Sequence, residues 1–184
     1  MTTDPFNLQQ NYFELFGLSV ASEVDEAGLR SVYTTMQRQF HPDKFAAASD
    51  RERRYAVQIA AFVNEAYMTL SDPLKRAEYQ LQLQGGDTRS EADAKMDAMF
   101  LMEQMEWREN LDDITAGVSD PFAALDSLRA EINNRIGEIA AEVKSHLQVE
   151  STDDAAEGLR KWQFLAKLII EAERVEARID DELA

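Results

Sequence analysis

The 184 residues carry 35 acidic and 19 basic side chains, a net charge of −16, with 45% hydrophobic and 29% charged residues. That is the balance of a soluble globular chain, and its field repels DNA, RNA and anionic lipid, leaving a basic or neutral protein surface as the expected partner. With no Cys and only two His, His41 and His146, there are no disulfides and no thiolate metal sites. No metal or cofactor is expected, and a reducing compartment fits. No apolar run approaches the roughly 18 residues of a membrane-spanning helix. Met1-Thr2-Thr3-Asp4-Pro5 lacks the basic and apolar regions of a signal peptide. A bacterial cytoplasm is therefore expected ahead of a mitochondrial matrix.

Seven Gly and four Pro in the whole chain favour long helices over many turns. The first strongly periodic segment opens at Asp25, a good N-cap. On a 3.6-residue helix Leu29, Tyr33, Met36 and Phe40 fall within about 60° of one another and form a buried stripe. Arg30 and Arg38 lie outside it, toward solvent. Next come His41-Pro42-Asp43-Lys44. Pro42 cannot continue the helix and restrains His41 toward extended backbone, so the segment is a stiff loop whose side chains no core requires. A second helix follows with Tyr55, Ile59, Phe62, Val63, Ala66, Tyr67 and Leu70 on its apolar face. Asp72-Pro73 opens another helical run from Leu74 to Leu83, and Gly85-Gly86 stops it, since paired glycines lose much backbone entropy in a helix. The domain boundary is set there: residues 1–84, a linker at 85–89, and a second domain at 90–184. The first holds 8 basic against 11 acidic residues and the remaining hundred 11 against 24, so the charge divides as −3 and −13.

The second domain reads as three helices, and the chain as all-α. The first runs from about Ser90 to Thr115 with Met96, Phe100, Trp107, Leu111 and Ile114. Gly117 and Ser119-Asp120-Pro121 end it. The next, to Leu147, carries a near-heptad seam of Leu125, Leu128, Ile132, Ile136, Ile139, Val143 and Leu147. The last, from about Asp154 to Leu183, carries Trp162, Leu165, Ile169, Ala172, Ile179 and Leu183. No strand alternation competes. His146, four residues after Glu142, lacks the Glu-x-x-His spacing of di-iron bundles and reads as a polar residue near a helix end.

The helix from Ser90 has two apolar faces. With Leu101 at 0°, its core residues cluster around about −110°, whereas Leu101, Met102 and Met105 fall near about 0°, 100° and 40°. Glu106, Glu109 and Asp113 lie beside them, at roughly 140°, 80° and 120°. Such a face is either covered by a neighbouring helix or by the first domain, or is an apolar patch rimmed by carboxylates and open to a protein partner. Phe164, about 100° off the stripe of the last helix, either extends this patch or fills the core.

His-Pro-Asp between two amphipathic helices, with Tyr12-Phe13-Glu14-Leu15-Phe16-Gly17-Leu18 before it and Asn64-Glu65-Ala66-Tyr67 after it, resembles a J domain. In that family the loop contacts an ATPase chaperone of the DnaK class and triggers its ATP hydrolysis. The resemblance implies a chaperone-binding set of Arg30, Arg38, His41, Pro42, Asp43 and Lys44. The segment Phe100-Leu101-Met102-Glu103-Gln104-Met105-Glu106-Trp107-Arg108-Glu109 is similar to the HscB type of J protein. So are Phe45, Lys75-Arg76-Ala77-Glu78-Tyr79 and Arg160-Lys161-Trp162-Gln163-Phe164-Leu165-Ala166-Lys167-Leu168. The likeness runs from about Asn11 to the C-terminus. HscB-type proteins join a J domain to a three-helix bundle and deliver the iron–sulfur scaffold protein IscU to the chaperone HscA. Their scaffold-binding positions match Leu101, Met102, Met105, Glu106, Arg108, Glu109, Asp113 and Phe164. Met105 stands where the family leads one to expect Leu, and Asp113 where it leads one to expect Glu; both keep the chemistry.

The reading that follows is a non-enzymatic co-chaperone with two interfaces, assisting iron–sulfur cluster assembly, complex oligomerisation and protein maturation. No nucleophile elbow, phosphate loop or metal cluster supports an enzyme. The alternative is a general J-domain co-chaperone for unfolded clients. A defined patch on a bundle, rather than a flexible Gly/Met-rich region, argues against it.

Overall fold

The computed structural model describes residues 7–20, 24–88 and 97–183. Among them are seven α-helices and one 3-10 turn, and no strand. The helices are α1 (Tyr12–Leu15), α2 (Glu26–Gln39), α3 (Asp50–Ser71), α4 (Pro73–Leu83), α5 (Ala98–Gly117), α6 (Pro121–Gln148) and α7 (Thr152–Leu183), and Pro42–Phe45 form the 3-10 turn. The all-α expectation holds.

Helices α2 and α3 form an antiparallel hairpin. Asp25 caps α2 as expected, its Oδ1 accepting from the Ala27 amide at 3.1 Å. Ser49 and Glu52 close a reciprocal capping box on α3. The hairpin core is Leu29, Ile59, Val63, Ala66 and Leu70, completed by Phe13, Leu15 and Phe16 from α1 and the turn after it. Tyr33, Met36 and Phe40 of the α2 stripe are half-buried against that core. Tyr33 stacks on Tyr67 with ring centroids 4.0 Å apart, and its hydroxyl donates to Asn64 Oδ1 at 3.0 Å. The Asn64–Tyr67 segment thus pins one helix to the other. Gly17 turns the chain out of α1 at φ +69°, a conformation that costs glycine little. Tyr12 stacks on Tyr79 of α4 at 4.4 Å. Burial first, then a hydrogen bond with Glu65, push the Tyr12 phenol up to about 12.

The chain divides into two compact units between Tyr79 and Gln80, inside α4 and short of the boundary drawn at Gly85-Gly86. A glycine pair marks where a helix stops, not what its last turn packs on. Leu81 is buried, and the Gln84 amide donates to the Leu147 carbonyl at 2.9 Å. A Cβ on Gly86 would collide with Leu81 and press on Thr152.

The second unit is a three-helix bundle. Its pairings show the antiparallel courses. Trp107 and Glu103 of α5 meet Glu131 and Arg135 of α6, at 2.9 Å and 3.2 Å. Val143 of α6 abuts Gly158 of α7, and Arg129 pairs with Glu176. The core is Phe100, Trp107, Leu111 and Ile114 from α5, the α6 seam, and Leu159, Trp162, Leu165, Leu168 and Ala172 from α7. Three positions depart from the expected stripes, Ile179 of α7 being half-buried as well as the two that follow. On α7 the fully buried residue is Leu168, with Ile169 only half-buried, and on α6 Ile136 is half-buried. Neighbouring residues on a long helix differ by about 100°, and packing against α6 selects Leu168. Ser90 and Met96, where the sequence reading began α5, lie outside the described residues, as does the side chain of Leu183. Asp97 caps α5, accepting from the Met99 amide at 3.0 Å.

Candidate functional site

In the first unit, Phe40 ends α2 and His41 leaves it in extended backbone, φ −60° and ψ 131°, as a residue before proline prefers. The segment read as a loop is a single 3-10 turn. His41 Nδ1 accepts from the Asp43 amide at 3.3 Å, and the Lys44 amide donates to the His41 carbonyl at 3.0 Å. With Nδ1 accepting, the neutral ring carries its proton on Nε2, which is left for a partner. Nδ1 also lies 3.5 Å from Asp43 Oδ2, an ion pair only if the ring is protonated. The Asp43 side chain is 90% exposed and that of His41 58%. The backbone satisfies itself locally while the side chains of His41, Asp43 and Lys44 face solvent, so the shape of the turn is preformed.

Arg30 and Arg38 are exposed two turns apart on α2. With Thr34, Thr35, Tyr67 and Ser71 they line an open groove of about 870 Å³ between α2 and the end of α3. The structure therefore puts two cations on the groove wall of the helix that leads into the His41 turn. The sequence showed these arginines as solvent-facing but gave no sign of the groove, because spacing on α2 says nothing of how α3 diverges from it. Beside the turn, Glu52 is held below the usual carboxylate range by the Ser49 hydroxyl and amide.

In the second unit, the second face of α5 is open. Leu101, Met102 and Met105 are 44%, 63% and 71% exposed, against 3% for Trp107 on the core side. Glu106, Arg108, Glu109 and Asp113 are exposed around them. Phe164 resolves the choice left at the sequence level in an intermediate way. It is half-buried, meets Phe100 edge-to-face at 6.0 Å, and has the Arg108 guanidinium 5.4 Å above its ring. It therefore sits against both the core residue Phe100 and Arg108 of the exposed face, and the arginine contact is of order 0.5–1 kcal/mol at such a site. Met99, exposed to the same degree as Met105, extends the apolar face by one turn. Its position three residues before Met102 carried that signal, at roughly 160° on the same wheel. On the opposite side of α5, Trp107 Nε1 donates to Glu131 and Glu103 pairs with Arg135. Arg135 is held protonated first by its hydrogen bond to Glu138, then by Glu103. These ties fix which face of α5 turns outward.

No group of three or more His, Asp or Glu among the described residues could hold a metal ion, and no described helix is long and apolar enough to cross a membrane. His146 sits in the last turn of α6, 3.9 Å from Asp154.

Residues 11–80 match the DnaJ domain family, and residues 96–173 match the family described as the HSCB C-terminal oligomerisation domain. A co-chaperone protein HscB homologue of Vibrio cholerae serotype O1 (strain M66-2) is 46% identical over 92% of this chain and 98% of its own length. The chain belongs to the HscB family of J-domain co-chaperones. The solved chaperone HscB from Vibrio cholerae superposes with a TM-score of 0.81, covering 92% of this chain and 99% of that one. The human co-chaperone HscB superposes with a TM-score of 0.80 at 31% identity, covering 96% and 84%. The exposed α5 face and the His-Pro-Asp turn lie in the two separate units of the chain.

Proposed function

We propose that this protein stimulates the ATPase of a DnaK-class chaperone, HscA, and delivers the iron–sulfur scaffold IscU to it, in a bacterial cytoplasm and without catalysing a reaction itself. Membership of the HscB family supports the co-chaperone role. The observation that carries the scaffold assignment is the open α5 face, an apolar patch rimmed by Glu106, Glu109 and Asp113. The chaperone would be engaged through Arg30, Arg38 and the His41-Pro42-Asp43-Lys44 turn.

The mechanism follows from the two surfaces. Arg30 and Arg38 steer toward an acidic patch by long-range attraction, which mainly accelerates encounter. Asp43, with its backbone already bonded, offers a carboxylate that pairs without a further cost of ordering the backbone. ATP hydrolysis accelerates only so far as the turn binds the hydrolysis-competent state of the chaperone better than its ground state. The α5 face holds the scaffold meanwhile, and two contacts on one chain raise the effective concentration of client at the chaperone. The acidic rim selects a scaffold surface with basic groups, and the methionines adapt to its relief.

The test is steady-state ATP turnover by HscA with this protein, with and without IscU. Wild type accelerates turnover, and more so with IscU. His41→Gln and Asp43→Asn keep their helical signal and lose the acceleration. Full acceleration by a folded Asp43→Asn variant would overturn the assignment of the turn.

A further inference from the structure

The chain contains seven methionines and no cysteine, so methionine is its only sulfur. Three of them, Met99, Met102 and Met105, follow one another at three-residue spacing on α5 and are 71%, 63% and 71% exposed. Methionine oxidation scales with access to the thioether, and burial protects it. Met36, half-buried in the hairpin core, is a built-in contrast. Met68, 61% exposed on α3 in the other unit, is equally accessible but lies off the patch.

We infer that Met99, Met102 and Met105 form an oxidation-sensitive patch through which a peroxide-class oxidant releases the client. The inference rests on the reading of the α5 face as the scaffold site. In the step, a lone pair on the methionine sulfur attacks one peroxide oxygen. The O–O bond breaks, an S–O bond forms, and the departing hydroxide takes up the proton carried by the transferred oxygen and leaves as water. Sulfur is oxidised by two electrons and the peroxide is reduced. The product is a polar, chiral sulfoxide where an apolar, flexible thioether had been. A partner surface that closed over the thioether must now desolvate the sulfoxide oxygen without a matched donor, and polar groups buried without partners oppose association. The fold itself is spared, because the three side chains project away from the Phe100–Trp107–Leu111–Ile114 core. The change is reversible by the pair of sulfoxide reductases, one for each epimer, which return the oxygen as water at the expense of a dithiol.

The experiment oxidises the full-length protein alone with hydrogen peroxide, destroys the excess with catalase, and then titrates in IscU by calorimetry. Peptide mass spectrometry reads the oxygen at each methionine. The expected order has Met99, Met102, Met105 and Met68 oxidised ahead of Met36. IscU affinity falls at least tenfold, circular dichroism is unchanged, and reductase treatment restores binding. For the Met99→Leu, Met102→Leu, Met105→Leu variant the readout is the ratio of IscU affinity after treatment to that before it, which stays near one whatever the starting affinity, whereas Met68→Leu loses affinity on treatment as the wild type does. Unaltered binding with the three sulfoxides formed in most molecules would overturn the inference, as would equal loss in the leucine variant. Failure of the untreated protein to bind IscU would instead refute the scaffold reading, and this inference with it.

Discussion

Replacing Leu101, Met102 and Met105 together by alanine separates binding from folding. The three side chains are 44%, 63% and 71% exposed, and substitutions at such helix surfaces change stability by about 0.5 kcal/mol each at most. Alanine's better helix propensity returns a few tenths of a kcal/mol per site. The folding cost is therefore about 1.5 kcal/mol or less. Trp107→Ala removes a side chain that is 3% exposed and donates to Glu131, a change of about 3–5 kcal/mol. At the centre of an interface the same three truncations cost about 1–2 kcal/mol each. Even if non-additivity reduces their sum to about 1.4 kcal/mol, scaffold affinity falls tenfold. Both tryptophans, Trp107 and Trp162, belong to the second unit. Their fluorescence in a urea titration therefore reports that unit alone, and in the Trp107→Ala variant Trp162 still reports it. Calorimetric titration of IscU into each folded variant supplies the affinity. A triple variant that unfolds as readily as Trp107→Ala, or binds IscU like wild type, would refute the reasoning that this face is open and used.

Three other outcomes are expected. One tyrosine should ionise near pH 12 by tyrosinate absorbance, since Tyr12 is raised from its ordinary 10.0; the folded state holds that proton more tightly, so its stabilising share is intact below about pH 10 and lost as the pH rises from there through 12, and Tyr12→Phe should flatten that loss in alkaline urea titrations. Gly158→Ala places a Cβ 2.5 Å from Val143 Cγ2 and should destabilise the bundle by about 1–3 kcal/mol; adding Val143→Ala should return part of it, and simple additivity in the double-mutant cycle would show that the two helices do not press together there. Charge reversal at Glu106 and Glu109 should weaken IscU binding, with the loss shrinking as salt is raised, because rim charges are screened; an effect independent of salt would place those carboxylates outside the interface field.

Much of this molecule was legible in its residues, for reasons that differ by element. The Leu29–Phe40 stripe, the α6 seam and the Phe100–Trp107–Leu111–Ile114 face were readable because burial imposes a helical period. The caps at Asp25 and the Asp72-Pro73 start were readable because orphan amides demand such side chains. Spacing alone gives an angle and no neighbours. It found the second face of α5 and could not decide whether anything covered it, nor whether Phe164 belonged to core or surface. It also preferred Ile169 to Leu168, a choice that only the facing helix makes. The 3-10 turn at Pro42–Phe45 is too short to have a period, and the division inside α4 follows from what Leu81 and Gln84 touch. The same limit hid the groove beside Arg30 and Arg38.

The three helices of the bundle are not equally held. The contact between α6 and α7 is by far the larger, while α5 leans chiefly on α6 and meets α7 at few points. Most residues of α5 are exposed. Such an element opens locally at a lower free energy than the pair beneath it, so its amides exchange with solvent sooner. A partner seated on Leu101, Met102 and Met105 supplies the third wall that the bundle leaves out, and its binding energy adds to the stability of that helix by mass action. Under the proposed function, client loading also completes that wall, and the most weakly anchored helix reports occupancy through its own order.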